Sequence, residues 1–137
     1  MSEQKKVYIV LRADMSSELT LNTAALVSMG LAKTEPDLVG RPVQDADGKR
    51  YAGITRVPVI IMKAKSTGKL KAAFESIAEK GITAVPFFEH SRSLMTYEEY
   101  ETSMSRARLD DLELSGFGVI GGTEDLKPHL KKFSLWK

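Results

Sequence analysis

Lys6-Val7-Tyr8-Ile9-Val10-Leu11 is the stretch on which the fold turns. It is rich in Val, Ile and Tyr and alternates little between apolar and polar, the pattern of a strand buried on both faces. It breaks at Arg12-Ala13-Asp14, and residues 18–33 then read as a helix. Leu19, Thr23, Leu26 and Met29 recur there at helical spacing, and Ser16 or Ser17 caps the start. The small residues on this helix predict close packing against the sheet.

The remaining elements follow the same alternation. Residues 35–53 form a long polar excursion with Pro36, Gly40 and Pro42, and Asp45-Ala46-Asp47-Gly48 marks a small hairpin within it. An excursion of this length points to an interface or functional role, or to a plain surface loop. Residues 55–62 read as the second strand, with Pro58 arguing for an edge or a bulge. Ser66 or Thr67 caps a helix that runs to Lys80 and stops at Gly81. Residues 82–88 form the third strand, where Pro86 raises the same edge question, and residues 96–108 form a polar amphipathic helix. Residues 112–120 form the fourth strand, whose Gly116 and Gly118 leave room for another backbone or a partner. A short helix over residues 124–131 and a tail ending at Trp136 complete the pattern. The expectation is an α/β fold in three layers, α/β/α, around a four-stranded mixed and mostly parallel sheet. Residues 1–137 read as one domain with no internal repeat or linker.

Composition narrows the function. The 137 residues suffice for one core, which at this size buries roughly two-thirds of the unfolded surface. A content of 42% hydrophobic and 28% charged residues is globular and argues against disorder. The chain has no cysteine, so disulfides, thiolate zinc and a cysteine nucleophile are excluded. The longest apolar run, residues 57–62, is far too short for a membrane helix, and the polar start carries no secretory pattern. A cytoplasmic location without membrane contact is the expectation. A net charge of +2 does not by itself call for nucleic acid.

Ligands of open α/β sheets collect beyond the carboxyl ends of the strands. Arg12 and Asp14 follow the first strand, and Asn22 lies on the first turns of the helix behind them. Lys63 and Lys65 follow the second strand, and Glu89, His90, Ser91, Arg92 and Ser93 follow the third. Asp14, Asn22, Glu89 and His90 are the catalytic candidates, able between them to orient water, donate to an oxyanion and carry a proton. Arg12, Lys63, Arg92 and Ser93 are the candidates for substrate binding. Simpler roles compete: a cap for Asp14, an ion pair between Glu89 and Arg92, a solvated loop for His90. His90 and His129 are far apart and lack an obvious carboxylate partner, so no metal or other cofactor is expected. Ser66-Thr67-Gly68-Lys69 falls short of a phosphate loop, because Lys63 and Leu70 occupy positions that need Gly and Ser or Thr. Lys63, Lys65, Lys69 and Lys71 form a basic stretch that would suit RNA phosphates or a solvated helix end.

Arg12-Ala13-Asp14 followed by Asn22-Thr23-Ala24-Ala25 resembles the opening of the type 2 peptidyl-tRNA hydrolases. Glu89-His90-Ser91-Arg92-Ser93 is similar to their Asp-Ala-Gly-Arg-Thr segment, and residues 116–136 to their last strand and short helix. The Asp45-Ala46-Asp47-Gly48 insertion, Arg56-Val57-Pro58-Val59 and Thr96-Tyr97-Glu98-Glu99-Tyr100 more closely resemble an uncharacterised bacterial group, the domain-of-unknown-function family numbered two thousand. The resemblance spans nearly the whole chain. It implies a peptidyl-tRNA hydrolase type 2-like fold, with the last strand antiparallel, and a homodimer. It also implies a hydrolase ancestry. Asn22 stands where those hydrolases carry lysine, Leu26 where they carry glutamine, and Met29 where they carry histidine. A neutral amide stabilises a developing oxyanion less well than an ammonium. Two functions therefore stand side by side: a hydrolase of undefined substrate, or a non-catalytic module for a small anionic ligand or RNA phosphates.

Overall fold

The computed structural model describes residues 4–94 and 96–137. Part of the polar start, residues 1–3, lies outside the described residues. The main sheet is built from β1 (Lys5–Arg12), β4 (Val59–Ala64), β5 (Ala84–Phe88), β6 (Leu114–Gly122) and β7 (Ser134–Leu135). β2 (Val43–Gln44) and β3 (Arg50–Tyr51) form a separate hairpin. The helices are α1 (Ser17–Thr34), α2 (Thr67–Glu79), α3 (Tyr97–Ser105) and α4 (Thr123–Leu130). Ser16, Ser66 and Thr96 cap α1, α2 and α3 by accepting a hydrogen bond from the backbone N–H three residues on. Gly81 ends the turn after α2 with φ of 78°, a conformation that favours glycine.

The strand order is β5-β6-β1-β4-β7. It corrects the expected sheet in two respects. There are five strands and not four, because Ser134 and Leu135 pair with Lys63 and Met62 along the outer side of β4. A two-residue strand carries no periodicity from which it could be read. The sheet is also not mostly parallel. Of its four pairings only β1 with β4 is parallel, since β6 inserts antiparallel between β1 and β5. β5 still points the same way as β1 and β4, but its hydrogen bonds go to β6. The second strand begins at Val59 and not at residue 55. Thr55 bridges back to Val39, and the Pro58 carbonyl accepts from the Val7 N–H at 2.9 Å. Pro86 does lie on an edge strand.

β1 alternates its buried side chains between two cores. Val7, Ile9 and Leu11 meet Val27 and Leu31 of α1. Tyr8 and Val10 meet Leu70, Ala73 and Ile77 of α2 with Leu126 and Leu130 of α4. This double burial is what the unalternating apolar run encoded, and it gives the helix–sheet–helix layering. The glycine face of β6 receives α1 of the same chain: a Cβ on Gly118 would stand 2.7 Å from Leu31 Cδ1. α3 spans the β5 edge, with Tyr97 and Tyr100 on the α1 side and Met104 against the α2 core. Among the described residues no helix is long and apolar enough to cross a membrane.

The β2–β3 hairpin is held by one carboxylate. Asp45 accepts from the Tyr51 hydroxyl at 2.8 Å and from the N–H groups of Asp47 and Lys49 at 2.9 Å. These bonds, the tyrosine's foremost, hold the Asp45 carboxyl below its ordinary pKa. A carboxyl lowered in this way supports the hairpin above its unfolded pKa, and the support fades as pH falls through the lowered value. Tyr51→Phe is expected to move the Asp45 titration back up toward 3.8, read by carboxyl-carbon NMR. An unmoved titration would place the cause in the backbone donors alone.

Candidate functional site

The carboxyl ends of β1 and β5 carry a chain of charges. Arg12 ends β1 with its side chain only 16% exposed. Its Nε and Nη2 donate to the two Asp14 carboxylate oxygens at 3.1 and 3.0 Å, and its Nη1 donates to Glu89 Oε2 at 2.7 Å. Glu89 opens the 3₁₀ turn Glu89–Ser93 after β5, and its N–H donates to the Glu113 carbonyl at 2.8 Å. The far oxygen of Glu89 accepts from Arg92 Nη1 at 3.4 Å. Asp14, Arg12, Glu89 and Arg92 thus form one ion-paired row. The bidentate bond from Arg12 holds the Asp14 carboxyl below its ordinary range, and the two carboxylates reinforce the charge on Arg12.

Next to this row opens a cavity of about 730 Å³ between α1, β5 and α3. One wall is polar: Ser16, Glu18 and Asn22 from α1, Ser91 and Arg92 from the turn, and Thr96. The other is apolar, with Leu19, Leu26 and Val27 of α1 facing Val85, Pro86 and Phe87 of β5. Tyr97 and Tyr100 close one side, their rings edge to face at 5.5 Å. Burial raises the pKa of the Tyr100 hydroxyl. The caps Ser16 and Thr96 both line the cavity, so the N-terminal ends of α1 and α3 open onto it. The size lies within the range of small-molecule pockets, about 300–1,000 Å³.

The structure brings some of the sequence candidates together and separates others. Asn22 and Arg92 share the cavity wall. Asp14, Glu89 and Arg12 join in the ion-paired row, outside the lining. Ser93 donates to the His90 carbonyl at 3.1 Å within its own turn. The His90 ring stacks at a tilt on Phe88, centroids 6.4 Å apart, and its two nitrogens are shielded and unpartnered among the described residues. Lys63 lies on β4, on the opposite side of β1 from β6 and β5. Among the described residues no three His, Asp or Glu side chains are grouped to hold a metal ion. Sequence reasoning missed the apolar wall and the two tyrosines. Their one signal was the pair Tyr97 and Tyr100, three residues apart on an otherwise polar helix.

A mixed α/β sheet layered between helices, with a half-apolar cleft at its β5 edge, defines a small α/β protein with a ligand-sized cavity. Within that class, the chain belongs to the family described as protein of unknown function (DUF2000), whose model matches residues 5–137. No curated protein matches the sequence. Among solved structures, the protein of unknown function Atu0240 from Agrobacterium tumefaciens strain C58 is similar over 100% of both chains, with a TM-score of 0.91 and 19% identity. At that identity the likeness concerns the fold.

Proposed function

We propose that the cavity binds a small organic anion with an apolar or aromatic body. The observation that carries this reading is the guanidinium of Arg92 in the wall of an otherwise largely apolar cleft. Arg92 is half exposed and its one ion pair, to Glu89, is long at 3.4 Å, so its remaining donors are free to fork onto a carboxylate or phosphate. Two helix N-termini add positive potential, and the Asn22 amide adds a donor. The peptidyl-tRNA hydrolase type 2-like scaffold is part of this proposal, supported by Arg12-Ala13-Asp14 at the carboxyl end of β1.

The test uses octanoate and 3-phenylpropionate as probes and inorganic phosphate as the bodiless control, followed by amide NMR. The organic anions are expected to shift Asn22, Leu26 and Tyr100, with phosphate weaker. Arg92→Gln should weaken their binding about tenfold, the value of one partly exposed charged hydrogen bond. Absence of shifts at the cavity, or unchanged affinity in Arg92→Gln, would overturn the proposal. RNA held by lysines would instead bind with steep salt dependence.

Hydrolysis is the second reading. Glu18 and Asn22, one turn apart on α1, set a carboxylate and an amide on one wall. Turnover of a model peptidyl-tRNA that is lost in Glu18→Gln would favour it; equal rates in both proteins would remove it.

A further inference from the structure

α1 buries one side and leaves the other apolar. Leu19, Thr23, Val27 and Leu31 face the sheet. On the opposite side Leu21 is 72% exposed and Met29 is 73% exposed, with Ala25 exposed between them. These three lie four residues apart and form one stripe. No residue from 19 to 32 carries a charge. The other helices do not behave this way, since Lys69 and Glu79 of α2 and Glu98 and Glu101 of α3 are exposed and charged. A helix that is apolar all round is normally buried all round.

The charges that bound the uncharged stretch say what would bury it. Glu18 precedes it and Lys33 follows it, both exposed and at opposite ends of the helix. A second α1 laid antiparallel across the first, with the two-fold axis at Ala25, sets Leu21 of each copy against Met29 of the other. The same arrangement brings Glu18 of each copy to Lys33 of the other. Ala25 at the crossing point lets the helices approach to about 8–10 Å. The stripe is therefore complementary to itself in shape and in charge, which a two-fold interface requires.

We propose that the outer face of α1 is the interface of a homodimer formed by antiparallel α1–α1 packing. Glu18, Asn22 and Leu26, on the flank of the same helix, line the cavity, so the second copy borders the cavity mouth. The interface is small, and association is expected in the micromolar range.

Sedimentation equilibrium over a wide concentration range tests the proposal. The wild-type mass is expected to rise from 15.1 kDa toward twice that value. The double variant Leu21→Glu/Met29→Glu should stay at the monomer mass with an unchanged circular dichroism spectrum. Glu18→Lys and Lys33→Glu should each weaken the dimer about tenfold, two rim ion pairs being replaced by like charges, and the combined variant should restore it. Because the chain has no cysteine, Ala25→Cys should form a covalent dimer on oxidation, whereas Glu79→Cys on α2 should not. A wild type that stays monomeric, a dimer indifferent to Leu21→Glu/Met29→Glu, or cross-linking through Ala25→Cys no faster than through Glu79→Cys would overturn it.

Discussion

Gly116→Ala is expected to destabilise the protein by about 2–3 kcal/mol, the upper part of the range for overpacking a filled interior. The added methyl would stand 2.7 Å from the Val10 carbonyl oxygen, 2.8 Å from Leu11 Cδ2 and 3.2 Å from Thr23 Cγ2. The nearest of these is backbone of β1, a strand hydrogen-bonded on both sides, so it does not yield as a side-chain end would. The β6 backbone must therefore move away from α1 or from β1, and either motion opens the packing of Val27 and Leu31 on the sheet. Gly118→Ala meets only the tip of Leu31 at 2.7 Å and should cost less. Gly68→Ala serves as the opposite control. A Cβ there meets nothing closer than Ser66 Oγ at 3.7 Å, and it replaces a helical glycine, so a gain of about 0.4–1 kcal/mol is expected. Urea unfolding midpoints of the three variants give the order directly. Equal stability of Gly116→Ala and wild type would mean that α1 does not seat on β6 as closely as described.

The same contact shows which parts of the fold the sequence could convey. β1, α1 and α2 were legible because their burial repeats over neighbouring residues: the unbroken apolar run of β1, and the spacing of Leu70, Ala73 and Ile77 on α2. The position of β6 was not legible. Nothing local in Leu114–Gly122 distinguishes a strand at the end of the sheet from one inserted between β1 and β5. Gly116 and Gly118 marked a close approach, but only the folded chain shows that α1 is what approaches. The misplaced Lys63 follows from the same gap, since a sheet with β1, β4 and β5 as neighbours would have put every strand end on one rim. Asn22 and Arg92 were found because they stand just past strand ends. Leu26 and Val27 were read as ordinary core spacing, and a helix pattern does not say which apolar residues meet the sheet and which line a cleft beside it.

Arg12→Met is expected to cost about 2 kcal/mol at neutral pH and to weaken anion binding in the cavity as well. Methionine keeps the apolar stem where the arginine side chain packs and removes the charge. The dominant loss is the 2.7 Å bond to Glu89, a charged hydrogen bond in a partly buried setting, worth about 1.5–3 kcal/mol. The pair with Asp14 is largely exposed and adds little, so Asp14→Asn should lose much less. The acid dependence follows from Asp14, whose carboxyl the Arg12 hydrogen bond holds below 3.8. Its contribution is present above the unfolded pKa and fades as pH falls through the lowered folded value. The gap between wild type and Arg12→Met therefore narrows in acid, below about pH 4. The effect on binding is indirect, because Arg12 does not line the cavity. Without Arg12, Glu89 is left with Arg92 as its ion partner and draws that guanidinium out of the cleft wall and toward the turn. Titration of Arg12→Met with 3-phenylpropionate beside urea unfolding separates the two consequences. A variant that loses stability but keeps its affinity would show that Arg92 holds its place by packing alone, and one that keeps both would show that the ion-paired row is incidental to the site.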